Sequence, residues 1–118
     1  MSNIRETLLN VLKDIESTYP VYHRNAYLFI FDSLDFNTHQ QKGKNKRDFS
    51  VKEFLKGVEA YAEFLYGDLA TDVFNEWNVK TARDVGNIVS KLVQYKVLHA
   101  SENDNLYDFR NLKLQLPS

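Results

Sequence analysis

The chain has 118 residues, 43% of them apolar and 14% aromatic, with two prolines, four glycines and a net charge of −1. That is one domain's worth of material with a core rich in Phe and Tyr, and it excludes a disordered chain or an overall polyanion binder. No cysteine is present, which removes disulfides, thiolate metal sites and thiol redox chemistry.

The opening residues mix charged and apolar side chains and lack the unbroken apolar core of a signal peptide, so a cytoplasmic location is expected. The longest apolar run, Ala26 to Phe31, is far short of the ~20 residues a membrane-crossing helix needs, and no membrane partner is expected. From about Asn3 to Ser17, Ile4, Leu8, Val11, Leu12 and Ile15 recur at helical spacing, with Arg5, Glu6, Lys13 and Asp14 opposite: an amphipathic cover helix. Tyr19-Pro20 stops it, and Pro20 suits the first turn of a second helix.

That second helix, Tyr22 to Leu34, is the stretch the chain is built around. Tyr22, Ala26, Tyr27, Phe29, Ile30, Phe31 and Leu34 fill half its circumference, which requires covering by several neighbours. Arg24, Asn25, Asp32 and Asp35, with Leu28 among them, mark a narrow wet strip. His23 falls inside the apolar arc, where a histidine hydrogen-bonded in the first turn is the expected reading over a ligand or base.

Asp35 to Phe49 loses the apolar periodicity. Within residues 39–48, Lys42, Lys44, Lys46 and Arg47 stand against Asp48 alone, a local +3 that leaves −4 on the rest of the chain. A mobile, solvated basic loop over about 38–48 is the expectation. Ser50 with Glu53 reads as a capping box for a third helix that runs to Tyr66 and buries Phe54, Leu55, Val58, Tyr61, Ala62 and Leu65. Gly67 supplies the left-handed residue that ends it, and Asp68 can cap the next.

A short fourth helix, Leu69 to about Trp77, turns Leu69, Ala70, Val73, Phe74 and Trp77 inward. Asn78 tolerates positive φ in the turn, and Thr81 with Asp84 resembles a capping pair for a fifth helix, about Ala82 to Val97. Its buried face is Val85, Ile88, Val89, Leu92 and Val93, and its exposed face is Arg83, Asn87, Ser90, Lys91 and Gln94. Gly86, mid-helix on the buried side, points to the close approach of another helix. After Leu98, two short apolar stretches flank the acidic turn Ser101 to Asn105, as in a small hairpin ending in Leu106 to Phe109. Leu112, Leu114 and Leu116 alternate with Lys113 and Gln115, the pattern of an edge strand or a docked extended segment. The expected fold is therefore mainly α: one domain over 1–118, a compact bundle of about five helices around a central hydrophobic helix, with a short C-terminal β-hairpin and an extended segment over 99–118.

The order Phe54-Leu55-Lys56-Gly57, Tyr66-Gly67-Asp68-Leu69-Ala70, Val73-Phe74-Asn75-Glu76-Trp77, Asp84-Val85-Gly86-Asn87-Ile88-Val89 with Leu92-Val93, and Asp108-Phe109 resembles a family of small uncharacterised bacterial proteins known by a Minf locus-tag name. Tyr22, Ala26, Tyr27 and Phe29 resemble that family's front helix. The chain has Asp48-Phe49-Ser50-Val51 where the family has His-Val-Ser-Gly, and Asn78 where the family has glycine. The resemblance implies a shared fold, and no activity is assigned to the family.

No catalytic residues, metal ligands or cofactor loop are read from the sequence. His23, His39 and His99 lie far apart, Asp32 and Asp35 sit at a helix end, and no Gly-rich phosphate loop or nucleophile context exists. The sequence favours a non-enzymatic interaction module that binds a protein partner or a second copy of itself, through an aromatic groove between helices. The alternative is a winged-helix-like nucleic-acid binder using a helix-turn-helix over 68–98, with Arg83, Asn87, Ser90, Lys91 and Gln94 reading the duplex and Lys42, Lys44, Lys46 and Arg47 adding phosphate contacts.

Overall fold

In the computed structural model, residues 3–40, 51–98, 109 and 112–116 are described, the side chains of 3–5, 35–40 and 51 excepted. Four helices of 13 to 17 residues, α1 (Asn3–Thr18), α2 (Arg24–Gln40), α3 (Val51–Tyr66) and α5 (Ala82–Gln94), are joined by a seven-residue α4 (Ala70–Glu76). The expected fourth helix is thus reduced to two turns, preceded by a 3-10 turn at Gly67–Leu69. No strand occurs among the described residues, and most of the expected hairpin lies outside them.

Helix α2 packs against α1, α3 and α5, which makes it the hub of the bundle. Ala26, Tyr27, Phe29 and Ile30 are buried, with Ser33 the one buried polar residue among those described. Its hydroxyl donates to the Ile30 carbonyl at 2.7 Å, so that group is satisfied within its own helix. Leu12 and Ile15 of α1, Leu55, Val58 and Ala62 of α3, and Val85, Ile88 and Leu92 of α5 complete the core. The Phe29 ring lies 5.0 Å from Tyr61, 5.2 Å from Phe74 and 5.5 Å from Trp77, so one aromatic side chain ties α2 to α3 and α4.

The helix ends show why the boundaries differ from the sequence reading. Helix α2 starts at Arg24, two residues later than expected, because the Glu16 carboxylate accepts the Arg24 N–H at 2.8 Å and His23 Nδ1 accepts that of Asn25 at 3.0 Å. Pro20 therefore sits in the preceding turn. At its other end α2 continues to Gln40, six residues past the expected Leu34. Residues 38–40, expected in the basic loop, are helical; Lys42, Lys44, Lys46 and Arg47, and the cap at Ser50, lie outside the described residues.

Helices α4 and α5 both end in a Schellman motif without glycine. After α4, Val79 N–H reaches Phe74 O at 2.9 Å and Asn78 N–H reaches Asn75 O at 3.0 Å, with Asn78 at φ 66°. After α5, Val97 N–H reaches Leu92 O at 2.8 Å and Lys96 N–H reaches Val93 O at 3.0 Å, with Lys96 at φ 63°. That second motif ends α5 at Gln94, short of the expected Val97. Gly67, at φ 53°, ends α3 as expected, whereas Asp68 does not cap α4, whose N-cap is Leu69 without a side-chain bond.

Gly86 does make room, and what enters is Phe109, a residue in 3-10 geometry and not part of a long helix. A Cβ on Gly86 would lie 2.9 Å from Phe109 Cβ. Phe109 is 2% exposed and meets the Phe54 ring edge-on at 6.1 Å. Beyond it, residues 112–116 form a docked extended segment, with Leu112, Leu114 and Leu116 half-buried on the core and Lys113 and Gln115 exposed.

Candidate functional site

Thr81 and Asp84 form the capping box expected at the start of α5. The Thr81 hydroxyl accepts the Asp84 N–H at 3.2 Å, and Asp84 Oδ2 accepts the Thr81 N–H at 3.0 Å. Three further bonds converge on the same carboxylate. Lys80 N–H donates to Oδ2 at 2.8 Å, the Thr81 hydroxyl donates to it at 3.2 Å, and the Tyr22 hydroxyl donates to Oδ1 at 2.6 Å. Asn87, one turn along α5, donates its side-chain N–H to the Tyr22 oxygen at 3.1 Å. Tyr22, Asp84 and Asn87 thus form a polar node that ties the α1–α2 corner to the first turns of α5.

The electrostatics follow from the geometry. Burial, then the hydrogen bond to Asp84, push the Tyr22 phenol from 10.0 up to about 12. Burial also pushes the Asp84 carboxyl up, but the hydrogen bonds from Tyr22, Lys80 and Thr81 outweigh it and hold the group below its ordinary value of 3.8. A carboxylate with its lone pairs so occupied is a poor proton acceptor, and a phenol held that high keeps its proton at neutral pH. The node is a tie, with no poised acid or base.

The same corner engages the polar stripe of α5. Lys91 Nζ sits 3.6 Å above the centroid of the Tyr19 ring and donates to Gln94 Oε1 at 3.3 Å. Of the five α5 residues assigned to duplex reading, Arg83, Asn87, Ser90 and Gln94 are exposed and Lys91 is half-buried, with the Asn87 side chain bonded to Tyr22 and Lys91 lying over Tyr19. A second corner bond runs from the Asn78 side chain to Val21 O at 3.0 Å. Asn78 thus supplies the left-handed backbone that glycine would give, together with a side-chain bond that glycine lacks.

His23 is exposed, contrary to its place in the apolar arc, because it precedes α2 and is not wound into it. Its ring nitrogen Nδ1 is the acceptor that starts the helix. No group of three His, Asp or Glu placed to hold a metal occurs among the described residues, and no helix there is long and apolar enough to cross a membrane. A shallow groove of about 560 Å³ runs along α1 beside Thr7, Asn10, Val11, Lys13, Asp14 and Ser17.

The exposed apolar surface is concentrated elsewhere. Phe64, Leu65 and Leu69, at the end of α3 and in the 3-10 turn, are 69%, 46% and 63% exposed. Leu65 and Leu69 were expected inside. The 3-10 turn tightens the backbone and swings Leu69 outward, and the buried face of α3 narrows toward its end, where Ala62 is the last fully buried residue. Next to them, Tyr61, Tyr66 and Trp77 are half-buried, with the Tyr66 and Trp77 rings 6.0 Å apart.

Sequence reasoning treated Tyr22 as a core ring and missed its hydroxyl, since nothing local links positions 22 and 84. The capping pattern at Thr81 and Asp84 was the only legible part of the node. Comparison with family models, with curated proteins and with solved structures finds no match to this chain.

Proposed function

We propose that this chain is a small non-enzymatic interaction module that binds another protein or a second copy of itself. The observation that carries the reading is the apolar surface of Phe64, Leu65 and Leu69 beside the half-buried rings of Tyr61, Tyr66 and Trp77. Large apolar side chains exposed within six consecutive positions of one chain, flanked by aromatics, are what protein interfaces enrich and what solvent-facing surfaces avoid. The polar node at Tyr22 supports the same reading from the other side, because it rigidifies the scaffold and offers no reactive group. The resemblance to the Minf family agrees with the fold reading and supplies no activity.

The test is the full-length double variant L65S/L69S, with light scattering over a concentration range and cross-linking in the native lysate. Both positions are exposed, so the variant is expected to melt as the parent does and to lose the parent's concentration-dependent mass or its cross-linked partner. An unchanged pattern of association removes this surface from the reading.

A second reading, nucleic-acid binding through α4, the turn and α5, is favoured by the exposure of Arg83, Asn87, Ser90 and Gln94 on one stripe of α5. The engagement of Asn87 and Lys91 by the tyrosines of the corner counts against it. Tight binding of labelled duplex DNA with a steep salt dependence, lost in R83A/S90A, would put this reading first.

A further inference from the structure

Phe109 and the segment that follows it are held in different ways. Phe109 is enclosed, with its Cβ and ring filling the space where Gly86 has no side chain. Residues 112–116 lie on the outside of the core, with alternate leucines half-buried, the one-faced pattern of an extended chain. Gln115 N–H donates to the Glu59 carboxylate of α3 at 2.6 Å, and no strand pairs with the segment among the described residues. An extended segment fastened by half-buried leucines and a side-chain acceptor opens at far lower cost than an enclosed ring leaves its socket.

We propose that residues 112–116 are an exchangeable strap, and that the groove beside Glu59 takes the same Leu-x-Leu-x-Leu segment from a second copy of this chain. The strap seated in its own groove displays the complementarity, since the contacts made across two copies are the contacts made within one. Such an exchange needs no new interface, and concentration sets its balance. Reach sets the geometry. With Phe109 left in place only residues 110 and 111 tether the strap, about 10 Å from Phe109 to Leu112 when extended, so the two copies must meet with their Phe109 sockets side by side, across a two-fold axis beside that residue. The proposal rests on the interaction-module reading but uses a surface distinct from that of Leu65 and Leu69.

A fluorescent peptide of residues 110–118, titrated into the full-length chain and into the full-length variant L114S/L116S, tests the groove. The wild-type groove is filled by its own strap, so the variant is expected to bind the peptide at least about tenfold tighter. Adding E59Q to the variant should weaken that binding. Equal binding by the two proteins, or none by either, overturns the strap. Helical circular dichroism and a cooperative melt establish that the variant is folded. If it is not, hydrogen exchange on the wild-type chain decides: a Gln115 amide exchanging at least about a hundredfold faster than that of Leu92 is expected, and equal protection overturns the proposal.

The second copy is read by light scattering on a mixture of L114S/L116S, which keeps an open groove, with E59K, which keeps an intact strap, both carried in the L65S/L69S background so that the other apolar surface adds no mass. Two-chain mass in the mixture, with one-chain mass for each variant alone, is the expected result; a mixture that stays at one-chain mass overturns the exchange. Neither measurement involves the Leu65 and Leu69 surface. Failure of the strap and failure of the L65S/L69S test are therefore separately visible.

Discussion

The Tyr22 hydroxyl both donates to Asp84 and accepts from Asn87, so its removal leaves two polar partners short of a bond at a half-buried site. Tyr22→Phe keeps the ring among its neighbours and should cost about 1–3 kcal/mol, measured as a shift in urea midpoint with unchanged slope. A cost near zero would mean that water replaces the hydroxyl. The two ionisations give opposite pH limbs. Asp84 has a folded value below its ordinary 3.8, so its contribution is present above about pH 4 and is lost as pH falls through the folded value. Tyr22 has a folded value raised from 10.0 to about 12, so its contribution is complete below pH 10.0 and is lost as pH rises toward 12. Asp84→Asn is therefore expected to flatten the acid limb of a stability–pH curve. Tyr22→Phe should flatten the alkaline limb in part, because Tyr27 is also raised to about 12 and remains.

At the scale of elements, the two Schellman ends can be told apart by substitution. Lys96 adopts φ 63° with no side-chain reward among the described contacts, so Lys96→Gly should raise stability by about 1 kcal/mol, read from thermal melts. The same change at Asn78 would gain backbone ease and lose the bond to Val21. Helix α4 is too short to persist alone and depends on its aromatic contacts, with Phe74 and Trp77 both against Phe29. Trp77 is half-buried, so Trp77→Ala should cost about 2–3 kcal/mol, below the ~3–5 kcal/mol of fully buried aromatic truncations; a neutral result would mark Trp77 as a binding residue. These elements were legible where one short window contained the whole cause. The Thr81 and Asp84 cap, Gly67, Asn78 and the buried face of α5 all belong to that class. The start of α2, set by Glu16 from another helix, and the outward turn of Leu69 do not, because their causes lie outside any local pattern.

For the whole molecule, the hub role of α2 was readable because its apolar arc is too wide for a single neighbour. The alternation at Leu112, Leu114 and Leu116 likewise announced a docked segment. What covers Gly86 was not readable, since Phe109 is one apolar residue among many and only the fold brings it there. Gly86→Ala should destabilise by about 1–3 kcal/mol through collision with that ring, and Phe109→Ala in the same chain should recover part of the loss in a double-mutant cycle. Additive losses would show that the ring sits elsewhere in solution. The socket at Gly86 has a further consequence for the order of folding. The contact that closes the inner face of α5 comes from a residue 23 positions further along the chain, so the loop between them must be closed before the contact is gained. A bundle that assembles ahead of that closure carries an open apolar hole beside Phe54.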